Sequence, residues 1–147
     1  MVNPRLVVYA LREETAMRTA LGLIAGVALA IVVVIAVETI GHRLWPLPPE
    51  VNVQDPAQLR AIMDQIPLPA KLSVLVGWAL GSLIGGFTAA RISGRRWPAW
   101  AVGVAMLLAG AATMAMIPHP LWFAAATLPA ALAPAWIAAR FGPKRTA

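Results

Sequence analysis

Four uncharged stretches, each 19 to 21 residues long, constrain the fold of this chain more than any other feature. They run over residues 19–37, 72–90, 97–117 and 121–139. Because an α-helix rises about 1.5 Å per residue, each stretch can cross the ~30 Å hydrocarbon core of a bilayer. With 60% hydrophobic and 12% charged residues, the 147-residue chain has too little polar surface for a soluble domain. We predict an all-α integral membrane bundle of four transmembrane helices, a single domain over the whole chain.

Two of these stretches carry small residues at four-residue spacing. The second contains Gly77, Gly81 and Gly85, and the first contains Gly22, Gly26 and Ala30. Lipid gives apolar helices no hydrophobic reason to pair, so close backbone approach over small residues supplies much of the attraction. We predict that the second stretch is the packing centre of the bundle and that the two small-residue series could face each other.

The segments around the first stretch also have local signals. Asn3 and Pro4 form a candidate helix start, which predicts a short interfacial helix before the first span. In the outer loop, residues 38–71, Asp55 and Pro56 form a second helix start, followed by apolar residues at helical spacing up to Ile66. This pattern predicts a short amphipathic helix on the membrane surface, read either as a docking element or as an interfacial connection. Prolines at positions 67 and 69 are expected to end it.

Two of the remaining segments are shaped by proline. The turn Pro118-His119-Pro120 predicts a tight reversal between the last two spans. Pro129 and Pro134 predict a kink in the last span, with the freed carbonyls bonded by neighbouring helices or by Thr127.

The basic residues predict the orientation. Nine lie on one side of the predicted membrane: Arg5, Arg12, Arg18, Arg91, Arg95, Arg96, Arg140, Lys144 and Arg145. The other side has three, Arg43, Arg60 and Lys71, spread through the long loop. By the positive-inside rule, both termini are cytoplasmic. The net charge of +6 is therefore explained by topology, and we expect the lipid bilayer rather than nucleic acid as a partner.

The span interiors contain no Asp, Glu, Lys, Arg, His, Asn or Gln. Proton-coupled pumps and ion transporters usually place ionisable groups at mid-membrane, which argues against those classes. Small multidrug resistance transporters have four spans too, but they need a glutamate deep within the first one, whereas Glu38 lies at the edge. The chain has no cysteine, which excludes thiolate catalysis and iron–sulfur clusters, and no nucleophile or phosphate-binding motif indicates an enzyme.

The one candidate polar site combines Glu38, His42 and His119 on the outer side. Glu38 and His42 are four residues apart and share a face if the helix continues that far. A carboxylate and two imidazoles could bind a divalent metal, or the histidines could ligate haem. A purely structural role is the simpler interpretation, so no cofactor is predicted and the metal site stays an alternative.

Several short segments carry a resemblance to a known group of proteins. They are Glu38-Thr39-Ile40, Pro46-Leu47-Pro48, Leu68-Pro69-Ala70, Trp78-Ala79-Leu80-Gly81 and Gly85-Gly86. Over residues 38–91 the chain resembles small bacterial inner-membrane proteins with four spans. The resemblance implies a bacterial inner membrane and no particular activity.

Three functional hypotheses follow. The first is a non-enzymatic membrane protein that acts by helix association, with itself or as an accessory subunit of a membrane complex, through Gly22, Gly26, Gly77, Gly81 and Gly85. The second is an outward-facing metal-binding or haem-binding protein that uses Glu38, His42 and His119. The third is a small transporter of an apolar solute.

Overall fold

The computed structural model describes residues 4–52, 55–117 and 119–143. These residues form five α-helices and no strand: α1 (Pro4–Leu44), α2 (Pro56–Ile62), α3 (Leu68–Ser93), α4 (Trp97–Met116) and α5 (Leu121–Phe141). The prediction of an all-helical chain is confirmed. All but α2 are long and apolar enough to cross a membrane, which indicates a multi-pass membrane protein. Asn3, Pro118, Lys144 and Arg145, which entered the sequence analysis, lie outside the described residues.

The first helix differs from the expectation of a short interfacial helix followed by a separate span. α1 is one unbroken helix of 41 residues, because the sequence has no proline between Pro4 and Pro46. The hydroxyls of Thr15 and Thr19 donate to carbonyls four residues earlier, and Arg18 forms an ion pair of 3.0 Å with Glu14. At about 1.5 Å per residue, α1 is roughly 60 Å long, about twice the hydrocarbon thickness.

The loop helix begins as predicted and ends earlier. The Asp55 carboxylate accepts a hydrogen bond of 2.9 Å from the Ala57 amide, which confirms Asp55 as the N-cap of α2. α2 has only two turns, and backbone hydrogen bonds from Gln65 and Ile66 to the Ile62 carbonyl continue into a turn rather than a longer helix. Pro69 does not end this helix but lies in the first turn of α3, where its missing amide leaves no hydrogen bond unmade.

The third helix is the packing centre of the bundle, as predicted. α3 packs against α1, α4 and α5, whereas α1 packs closely with α3 alone and only lightly with α4. Ser82 on α3 is fully buried, and its hydroxyl donates a 2.6 Å hydrogen bond to the Ala131 carbonyl of α5. This carbonyl is next to that of Ala130, which has no helical amide partner because Pro134 lacks an N–H group. The Thr127 hydroxyl does not bond a carbonyl freed by a proline but donates to the Phe123 carbonyl at 3.0 Å.

Candidate functional site

The two small-residue series on α1 and α3 lie against each other within one chain. A Cβ atom built on Gly26 would lie 2.6 Å from the Gly85 carbonyl oxygen, and one on Gly22 would lie 2.8 Å from the Ala89 oxygen. A Cβ on Gly81 would lie 2.9 Å from the Ala30 oxygen. Real Cβ atoms essentially never approach other atoms closer than 3.0 Å. These glycines are therefore required for the backbone contact between α1 and α3.

The members of the series are not equivalent. A Cβ on Gly77 would meet the Val37 side chain at 3.5 Å, an ordinary contact, so alanine fits there. Gly41, which the sequence analysis did not select, is closer, because its Cβ would lie 2.6 Å from the Ser73 hydroxyl oxygen. Gly110 on α4 was also missed, and a Cβ there would lie 2.7 Å from the Trp78 ring. Gly110 therefore gives the indole its space between α3 and α4.

Beside this packed contact, at the α2 end of the bundle, lies a cavity of about 430 Å³. Its walls come from α1, α3 and α4 and from the start of α5, and they are mostly aliphatic and aromatic. The polar or amphipathic side chains that line it are Glu38, His42, Trp45, Lys71, Ser73, Trp78, Thr113 and His119. A concave, largely apolar space with a few convergent polar groups is the usual form of a small-molecule site.

Glu38 reaches the cavity because α1 continues past the end of the predicted span. The side chain is half-buried and lines the cavity together with Trp78 and with His42, which lies one turn further on. The indole N–H is the only polar group that Trp78 has, and it can only donate. The sequence expectation that Glu38 and His42 share a helix face is therefore met in the described structure.

Three aromatic rings that line the cavity are in contact with one another in series. Trp78 is buried and packs edge-on against Phe123, with ring centroids 5.9 Å apart. Phe123 in turn stacks on His119, with centroids 4.6 Å apart and an angle of 23°. The His119 Nδ1 atom lies 2.7 Å from the Ile117 carbonyl oxygen. Because a carbonyl only accepts, Nδ1 donates in this hydrogen bond, which leaves Nε2 as the ring nitrogen that can contact a ligand.

The structure brings Glu38, His42 and His119 to one cavity, but not into a metal-binding cluster. Among the described residues, no three His, Cys, Asp or Glu side chains lie close enough together to hold a metal ion. Lys71, which the sequence analysis used only to predict the orientation, lines the same cavity. In the part of the chain that the structure describes, Glu38 and Lys71 form no ion pair with each other. The lining therefore offers one carboxylate and one ammonium as separate groups.

The loop before α3 lines the cavity at its α2 end with apolar side chains. Leu47, Leu59, Met63 and Ile66 line the cavity from this side, and Met63 is 8% exposed. We call these four residues the roof. They are all apolar, and the other three are half-buried. The apolar face predicted for the loop helix therefore covers the cavity.

The comparisons with known proteins give no information about the function of the chain. No protein-family model matches the chain, and no curated protein or solved structure matches it either.

Proposed function

We propose that this protein binds a small amphipathic molecule within the membrane. The observation that carries the proposal is the cavity of about 430 Å³, whose apolar walls end in hydrogen-bonding side chains at the α2 end. An apolar body would lie along Val34, Trp78 and Met106, and a polar head would lie near Glu38 and Lys71. This proposal replaces the metal-binding alternative with a ligand that does not need three convergent protein ligands.

The lining charges favour a head group without net charge. Glu38 and Lys71 contribute opposite charges, so together they add no net charge to the cavity lining. A head that both donates and accepts hydrogen bonds can use the carboxylate, the ammonium and the His119 Nε2 atom together. A monoacylglycerol, with hydroxyl groups on a single hydrocarbon chain, has this chemistry and serves as the probe.

The location that we propose is a bacterial inner membrane, with both termini cytoplasmic and the cavity in the outer half of the bilayer. The distribution of arginine and lysine between the two ends of the helices supports this orientation. Because the chain has no cysteine, single cysteines placed at Gln58 and at Gly94 can test it. We expect an impermeant maleimide to label Gln58→Cys in intact cells and Gly94→Cys only after the membrane is opened; the reverse pattern would contradict the orientation.

Photolabelling with a diazirine-bearing monoacylglycerol in nanodiscs tests the binding proposal. We expect adducts on cavity residues of α1 and α4 that saturate with probe and that unlabelled monoacylglycerol removes. Ala109 lines the cavity and Ala112 on the same helix does not, and both are exposed. Ala109→Phe should lower the saturable labelling by about tenfold, whereas Ala112→Phe should leave it unchanged.

Two results would contradict the proposal. One is labelling that rises in proportion to probe, without saturation, and spreads over all lipid-facing helix surfaces. The other is an equal effect of the two phenylalanine variants, since only Ala109→Phe fills the cavity.

Helix association is a second candidate function, now on a different surface. α1 meets the C-terminal end of α3 at Gly22, so the preceding part of α1 extends beyond that end. Val8 and Leu11 there are 51% and 58% exposed, and they lie beside Arg95 in a shallow groove. We propose this segment as the site where a second copy or another membrane protein would pack. Cysteine cross-linking at Leu11→Cys in native membranes checks it, and a purely monomeric product would count against it.

A further inference from the structure

The cavity is lined differently on two sides. At the α2 end, where water would enter, the four roof residues are apolar, and each of them is buried or half-buried. On its flank, the cavity-lining residues Ile31 and Ile35 of α1 are 50% and 58% exposed, and Ala109 and Thr113 of α4 are exposed as well. The same residues therefore face both the cavity and the outer surface of the bundle.

We infer that the ligand enters and leaves sideways, from the bilayer, through the gap between α1 and α4, which we call the portal. The inference rests on the proposed function, because it assigns a route to the same cavity. It also narrows the ligand to a molecule that is already dissolved in the membrane, with its tail among the lipid chains and its head at the interface.

Two physical arguments support this route over an opening of the roof. The portal is lined by aliphatic side chains and one threonine, so a hydrocarbon tail can pass between lipid and cavity without contact with water. Opening the roof would expose Leu47, Met63 and their neighbours to water and would pass the tail through water as well. The α1–α4 contact is also light, whereas α1 and α3 pack along most of their shared length, so α1 and α4 can separate more easily than α1 and α3.

A pair of reversible clamps tests the inference in the cysteine-free chain. Ile35→Cys with Thr113→Cys, joined by a short disulfide-forming cross-linker, clamps the portal. Leu59→Cys with Ile117→Cys, joined in the same way, clamps the roof and is the matched control, because one clamp attaches to the last turn of α4 and the other to the residue that follows this helix. The readout is the rate at which the photoreactive monoacylglycerol, delivered from donor vesicles to proteoliposomes, labels the cavity wall at Val34 and Met106.

We expect the portal clamp to slow cavity labelling by about tenfold and the roof clamp to change it less than about twofold. Reduction of the cross-linker should restore the rate, which distinguishes a blocked route from a misfolded variant. Slowing by the roof clamp alone, or by neither clamp, would overturn the proposed route. Saturable binding in the unclamped protein would still support the proposed function in that case. Cross-linking of the portal cysteines between two molecules would also overturn it, because a second copy would then fill the gap.

Discussion

Replacement of Gly26 by alanine should destabilise the bundle far more than the same change at Gly77, although both glycines belong to the α1–α3 contact. A Cβ on Gly26 would lie 2.6 Å from the Gly85 carbonyl oxygen, which is a backbone atom, and 2.7 Å from the Ala89 Cβ, which is the first side-chain atom. Both atoms belong to the neighbouring helix α3. Neither atom can rotate away. To move the oxygen from 2.6 Å to the 3.4 Å at which ordinary contacts begin, the helices must separate by about 0.8 Å.

Such overpacking costs about 1–3 kcal/mol in well-packed interiors, and we expect the upper half of that range because several neighbouring contacts loosen together. At Gly77 the nearest atom is 3.5 Å from the new Cβ, and alanine is the better helix former. The change in unfolding free energy there should stay within about 1 kcal/mol of zero.

Reversible unfolding in mixed detergent micelles, followed by circular dichroism, measures both changes under the same conditions. Gly26→Ala should shift the midpoint of the unfolding transition to a clearly lower mole fraction of the denaturing detergent. Equal effects at the two positions, or a larger effect at Gly77, would refute the argument that backbone approach at Gly26 limits the α1–α3 distance.

Three further predictions concern single contacts. Ser82→Ala removes a buried hydrogen bond to an α5 carbonyl and should lower the unfolding free energy by about 1 kcal/mol in the same micelle assay; no change would mean that the carbonyl finds another donor. Glu38→Gln leaves Lys71 as the unbalanced charge of the cavity and should favour a fatty-acid photoprobe over the matching fatty amine, while Lys71→Met should favour the amine; equal preferences would show that the head group lies elsewhere. Gly110→Ala places a Cβ 2.7 Å from the Trp78 ring and should weaken monoacylglycerol labelling and change the fluorescence of that buried indole, recorded with the other five tryptophans replaced by phenylalanine; an unchanged spectrum would contradict the close contact.

The helices could be predicted because their signals are local. An uncharged stretch of about twenty residues can be read without knowledge of any other part of the chain, and so can the Asp55-Pro56 start of α2. α1 continues past the first uncharged stretch, which Glu38 interrupts. The α-helix itself tolerates a glutamate, and it ends only where Pro46 approaches.

The cavity could not be predicted because it depends on contacts between distant segments. Trp78 lies within the second uncharged stretch, but nothing in the sequence pairs it with Gly110, 32 positions later. A usable signal for Gly41 did exist, since it lies eleven residues after Ala30, close to three full turns, and so shares the face of the glycine series. Lys71 gave no such signal, because a lysine at the start of a span is equally expected as an anchor at the membrane interface.

The position of the glycines changes how self-association of this protein should be tested. The sequence left open whether Gly22, Gly26, Gly81 and Gly85 pair within one chain or between chains, and in the described structure they hold α1 against α3 in one chain. A substitution such as Gly81→Leu would therefore separate the helices of the monomer, and loss of an oligomer in that variant would not identify the interface. A change on the exposed face of α1, such as Leu11→Lys, leaves the α1–α3 contact intact. If an oligomer exists, its loss in Leu11→Lys with unchanged unfolding free energy is the result that would assign the interface to that surface.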